Sequence, residues 1–168
     1  GQQILILGHD NKLLIVDSST GQVVREISCE GVSQLARFSP SGGWIAYSCS
    51  SDAVLRLISN NDEQQRVELS QPYGTIESLS FSQDGLWLAA GTRRGGIATW
   101  PLATLADAPP PSKLASMTHM VAHNGEVVAV CIDELGRVAS ASDSGSVVTS
   151  KLTTPSSPTF GQSVRAVG

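Results

Sequence analysis

Val16, Ile58, Trp100 and Ser150 stand 42, 42 and 50 residues apart, each at the end of a short apolar stretch, and this recurrence constrains the fold more than any other feature. A period of that length fits a supersecondary unit that buries its apolar surface only by stacking on copies of itself. A second ruler runs alongside: residues 35–42, 79–85 and 130–136 each read as an apolar strand closed by a polar turn, with Gly42, Gly85 and Gly136 spaced 43 and 51 apart.

After each of these glycines a second strand is expected, at 44–47, 87–90 and 138–141, aligned Trp44, Trp87, Val138. A tight turn follows, at Ser51-Asp52-Ala53, Arg93-Arg94-Gly95-Gly96 and Asp143-Ser144-Gly145, and then a third strand at 54–58, 97–100 and 147–151. A fourth, headless repeat opens the chain. Gly1 aligns with Gly43, so the first strand met is a second strand at 4–7, followed by the turn His9-Asp10-Asn11 and a third strand at 13–17. The longer last spacing comes from an insertion at 105–112 carrying Pro109-Pro110-Pro111, which cannot donate to a ladder and is expected to stand out as a stiff surface loop.

Strands of this length, turns every 8–12 residues and no helical period predict an all-β fold of β-propeller blades, each of four antiparallel strands, in about four repeats. The expected organisation is one propeller segment over 1–168: a partial blade 1–29, blades 30–71, 72–121 and 122–161, and the first strand of a further or closing blade at 162–168. That last strand would allow the ring to close on the headless blade. Blades of this type usually need about seven copies to close, so the chain is expected to be part of a longer protein or an engineered fragment. Its open edges would then be covered by missing repeats, a copy of itself or another subunit.

Phe38-Ser39-Pro40-Ser41-Gly42, Phe81-Ser82-Gln83-Asp84-Gly85 and Val16-Asp17 resemble the WD-repeat β-propeller family, in which F-S-P-D-G closes the first hairpin and W-D ends the third strand. Ala122-His123-Asn124-Gly125-Glu126-Val127 resembles the G-H-x-x-x-V entry to a blade. Trp stands at the W-D position once, as Trp100, followed by Pro101. The resemblance implies a buried network of His, Ser or Thr, Asp and Trp within a blade; His123, Ser140 and Asp143 match three members, while Ser150 lacks the indole, so a partial network is expected. It also implies a protein-interaction platform, though one fold hosts many functions.

The net charge of −4 supplies no positive field for nucleic acid or an anionic membrane, and no apolar run reaches the roughly 20 residues of a membrane-spanning helix. Cys29, Cys49 and Cys131 lack zinc or disulfide spacing and read as small buried hydrophobes, which with no N-x-S/T acceptor suggests a cytoplasmic or other intracellular setting.

No nucleophile elbow, phosphate loop, H-E-x-x-H or calcium loop is present, and His9, His119 and His123 are too scattered for a metal site, so neither enzyme activity nor a cofactor is expected. Asp10, Asp52 and Asp143 recur at equivalent turns, where Asp is expected to accept backbone N–H bonds. The pattern breaks at Arg93-Arg94, on the loop face that also carries Tyr73 and His123. Arginine and tyrosine are common interface anchors, so an acidic or phosphorylated protein segment is the expected ligand of Arg93, Arg94 and Tyr73, with two solvated arginines as the alternative. Two other functions stay open: a fragment that self-assembles or completes a larger ring, and an enzymatic or ligand-binding propeller with a small molecule in its channel, for which Arg37, Ser80, Cys131 and Gly168 make no recognisable set.

Overall fold

A computed structural model describes residues 2–8, 10–29, 31, 33–49, 54–70, 74–103, 112–115 and 118–151. His9, the turn with Asp52, Tyr73, the three-proline stretch and the strand expected at 163–168 lie outside the described residues.

The described residues form fifteen strands and no α-helix. Gln3–Leu7 (β1), Lys12–Asp17 (β2) and Val23–Ser28 (β3) make an antiparallel meander. Ser33–Phe38 (β4), Trp44–Cys49 (β5), Leu55–Ser59 (β6) and Arg66–Ser70 (β7) make a second. Ile76–Phe81 (β8), Trp87–Thr92 (β9), Gly96–Pro101 (β10) and, beyond Ser112–Ala115 (β11), Thr118–Val121 (β12) make a third. Val127–Ile132 (β13), Arg137–Ser142 (β14) and Val147–Lys151 (β15) make the fourth. The fold is all-β, in propeller-type antiparallel blades.

β11 leaves its expected place. The expected surface loop ends at residue 112, and from there β11 runs parallel to β7 as a fifth strand of the second sheet, with Ser112 opposite Val67 and Ala115 opposite Ser70. An outer strand such as β7 presents an unpaired row of N–H and C=O groups, and the chain leaving the insertion fills it.

Because strand side chains alternate between faces, each inner sheet feeds two cores. On β5, Ile45, Tyr47 and Cys49 pack with Leu13, Ile15 and Ile27 of the first sheet, whereas Ala46 joins Leu79, Leu88 and Trp100 of the third. On β9, Leu88 and Ala90 face the second sheet, and Ala89 faces Val127 and Val138 of the fourth. Continuous apolar runs, and not half-polar ones, are the consequence of covering both faces.

The hairpin turns share one construction. Ser39 Oγ accepts from Trp44 N at 3.0 Å, Ser82 Oγ accepts from Trp87 N at 3.0 Å, and Asp133 Oδ1 accepts from Arg137 N at 2.8 Å. The three glycines of the ruler close these turns at φ near +70°, where only glycine is unstrained.

Ladder register corrects two alignments. Leu88 lies opposite Trp100 and Val138 opposite Ser150, so Val138 matches Leu88 and not Trp87. The cause is a turn one residue shorter: four residues lie between Ser82 and Trp87, three between Asp133 and Arg137. Likewise Ser18 N donates to Gln2 O as Asn60 N donates to Gly43 O, which puts Gln2, and not Gly1, at the place of Gly43.

Candidate interaction surface

The turn between β9 and β10 is fixed from both sides. Gly96 N donates to Thr92 Oγ1 at 3.0 Å, Thr92 Oγ1 donates to Gly96 O at 3.1 Å, and Arg93 N donates to Thr75 O at 3.0 Å. Ala122 N and His123 N both donate to Gly95 O, at 3.0 and 3.2 Å. Gly95 has φ +77°, and a Cβ there would run into the carbonyl of His123, so two separate constraints demand glycine.

This rigid turn presents Arg93 and Arg94, both exposed. Arg93 Nε lies 3.0 Å from Glu77 Oε1 and 3.9 Å from Glu126 Oε2, and so bridges the start of β8 to the residue before β13. Glu77 Oε1 is buried and, among the described residues, no N–H is aligned on it, so its pairing with Arg93 is a charge contact. Burial first, and the Glu126 carboxylate next, raise the Glu77 pKa; Arg93 opposes both. Arg94 lays its side chain over Gly74, 3.6 Å from where a Cβ would stand. Gly74 follows Tyr73, which itself lies outside the described residues.

His123 is buried beside this turn. Its Nε2 shares a 2.8 Å hydrogen bond with Ser140 Oγ, and its Nδ1 shares one of 2.6 Å with Ser146 Oγ. Burial lowers its pKa, keeping the ring neutral at neutral pH. The His123–Ser140 pair is as the sequence suggested, but Asp143 does not bond the ring directly. Its Oδ1 accepts from Ser142 Oγ at 3.2 Å, and Ser142, Ser144 and Ser146 form a chain of hydroxyls at 2.9 and 3.4 Å between acid and imidazole. Ser146 carries no sign of this role in the sequence, because serine there looks like an ordinary turn residue.

The expected role of Asp at these turns also moves. Ser142 Oγ accepts from Ser144 N at 3.1 Å, as Thr92 Oγ1 accepts from Gly96 N, so a hydroxyl closes the turn and leaves the Asp143 carboxylate to pack over Gly125. Asp10 packs over Gly8 in the same way. At the opposite end of the blades, Asp17, Asp62, Asp84 and Asp133 do accept backbone N–H bonds, and the Ser19 hydroxyl first, with the backbone N–H groups of Thr20 and Ser19, holds the Asp17 pKa down to about 2.

Trp100 is fully buried between the second and third sheets, and its indole Nε1 has no hydrogen-bond partner among the described residues. By ladder register Ala90 stands where Ser140 stands in the next sheet. One blade therefore keeps the indole without the hydroxyl, and the next keeps the hydroxyl and histidine without the indole.

Residues 21–59 match the family model described as WD domain, G-beta repeat, which takes in β3 through β6. Two curated relatives, from two strains of Cryptococcus neoformans var. neoformans serotype D, are named "Probable cytosolic iron-sulfur protein assembly protein 1". Each is 29% identical over 99 residues, covering 50% of this chain and 22% of the relative. A chain in the inhibitor-bound humanized mutant of the Chaetomium thermophilum Polycomb Repressive Complex 2 superposes with a TM-score of 0.72 at 16% identity, covering 95% of this chain and 37% of that one. This chain thus spans well under half the length of the proteins it matches, and the likeness to the solved chain is one of fold.

Proposed function

Because this chain carries WD-repeat β-propeller blades, a fold that generally mediates protein interactions, we propose that it is a non-enzymatic scaffold whose loop face binds an acidic or phosphorylated protein segment. The observation that carries this reading is a pair of exposed arginines on a turn locked beneath His123. Arg94 is the principal contact and Arg93 the secondary one, since Glu77 and Glu126 already draw on the Arg93 charge. Tyr73, next to the Gly74 that Arg94 covers, supplies the aromatic part. The relatives' name favours an intracellular compartment.

The test is titration of the purified chain with paired phosphorylated and unphosphorylated peptide arrays. Arg94→Glu should abolish the phosphate-dependent signal and Arg93→Glu should weaken it less. Binding indifferent to both charge reversals would end the proposal.

A second reading, self-assembly into a fuller ring, is favoured by the outer faces of the first and fourth sheets. Ile4 and Ile6, beside Val16 and Leu14, face outward at one end, with Ile4 50% and Ile6 44% exposed. Ala129, Ala141 and Val147 form a row of smaller side chains at the other. Large side chains also meet small ones at the inner seams around Ala46 and Ala89. A mass in solution at a defined multiple of 17.6 kDa, reduced to one by Ile6→Glu, would support it; a monomer at all concentrations would not.

A further inference from the structure

At the end of the blades opposite Arg93 and Arg94, the β4–β5, β8–β9 and β13–β14 hairpins surround a cleft of about 500 Å³. Pro40, Phe81 and Ile132 form its apolar wall, and Gln83, Asp133 and Glu134 its polar rim. The wall follows from the repeat, because Phe81 and Ile132 are equivalent last residues of first strands.

We propose that this cleft docks a basic peptide segment that inserts one apolar side chain. Leu135, which lines the cleft, is 67% exposed, and Leu86 on the neighbouring hairpin is 49% exposed. The apolar side chains exposed on the outer sheet faces, such as Ile4 and Ile6, point to where another blade would stack. Leu86 and Leu135 sit on turns instead, where a neighbouring blade would not cover them. Leu135 continues the apolar wall of Pro40, Phe81 and Ile132 toward solvent, and contiguous apolar surface of this kind, not a single exposed leucine, marks a contact site.

Charge decides what the contact fits. Arg137 is the cation on the cleft, and its Nε donates to Asp133 Oδ2 at 2.6 Å. That leaves Glu134 on the rim and Asp84 on the adjoining turn as excess negative charge, so a lysine- or arginine-bearing segment is complementary. Asp84 stays ionised because the Ser82 hydroxyl and Leu86 N–H hold its pKa down. The surface is also preorganised: Asp133 Oδ1 accepts from both Leu135 N at 3.0 Å and Arg137 N at 2.8 Å, so little ordering cost falls on binding.

The experiment is selection of a random nine-residue display library on the purified chain, with depletion against a Glu134→Lys, Leu135→Ser variant. Selected peptides should carry Leu or Phe flanked by Lys or Arg. Synthesised and followed by fluorescence anisotropy, they should lose at least tenfold in affinity to that variant and less to Glu134→Gln. They should bind Arg93→Ala, Arg94→Ala protein unchanged, which separates this site from the arginine turn. Both changed residues are exposed, and an unaltered melting curve verifies the fold. Acidic selected peptides, no peptides surviving depletion, or equal affinity for the variants would overturn the proposal.

Discussion

Arg93 Nε stands 3.0 Å from Glu77 Oε1, and this contact makes the residue that breaks the repeat's turn pattern also a clasp between two blades. Its second neighbour, Glu126, enters the next blade, so the two carboxylates on either side of the seam share one guanidinium.

Removing that guanidinium should therefore cost stability. Arg93 is largely exposed, so Arg93→Ala is expected to destabilise by only about 0.2–1 kcal/mol at pH 7 in urea unfolding. Glu77→Gln added to it should return most of the loss. The Glu77 pKa is raised above its ordinary 4.5, so its contribution is favourable in acid and is lost as pH rises through the folded value. Arg93→Ala should steepen that loss, and an unchanged pH slope would show the clasp to be incidental.

His123 gives the opposite slope. Its pKa is depressed below 6.5 by burial, so the folded chain binds fewer protons than the unfolded one just below that pH. Stability from the neutral ring is present above pH 6.5 and falls as pH drops toward the folded value. His123→Asn should flatten the unfolding free energy between about pH 7 and 5, the region in which histidine titrates.

Trp100→Ala should cost about 3–5 kcal/mol, the usual loss for a buried aromatic. Trp100→Phe should cost under half of that, because the indole N–H it removes has no partner among the described residues. Ala90→Ser offers that N–H an acceptor, and should be more favourable with Trp100 present than in the Trp100→Phe background. A double-mutant cycle by chemical denaturation measures the difference, and zero coupling would show the two side chains to be independent.

Gly21 and Gly95 have similar positive φ, +70° and +77°, but a Cβ at Gly21 meets nothing within 4 Å whereas one at Gly95 meets the His123 carbonyl. Gly21→Ala should cost about 1–2 kcal/mol from backbone strain alone. Gly95→Ala should cost clearly more. It should also shift the amide signals of Ala122 and His123, since both donate to Gly95 O.

The repeat was readable because its signals are local: a glycine at positive φ, a hydroxyl or carboxylate closing a hairpin, and strands whose two apolar faces leave a continuous run. The blade strands and the ladder end marked by Val16, Ile58, Trp100 and Ser150 follow from these. Strand phase did not follow from the glycines, because one deleted turn residue shifts Val138 to the place of Leu88 and reverses which face each neighbour meets.

What the sequence by itself determined, then, is the blade: its length, its strands, its turns and the isolated Trp100. The tertiary structure decided which groups meet. β11 pairs with β7 because a free strand edge lies nearby in space, and the insertion before β11 gives no local sign of it. Arg93 reaches Glu77 and Glu126, and His123 reaches Ser146 and not Asp143, because stacking brings together turns distant in sequence. Pairings of that kind depend on distances across a seam, which composition and spacing along one strand do not encode.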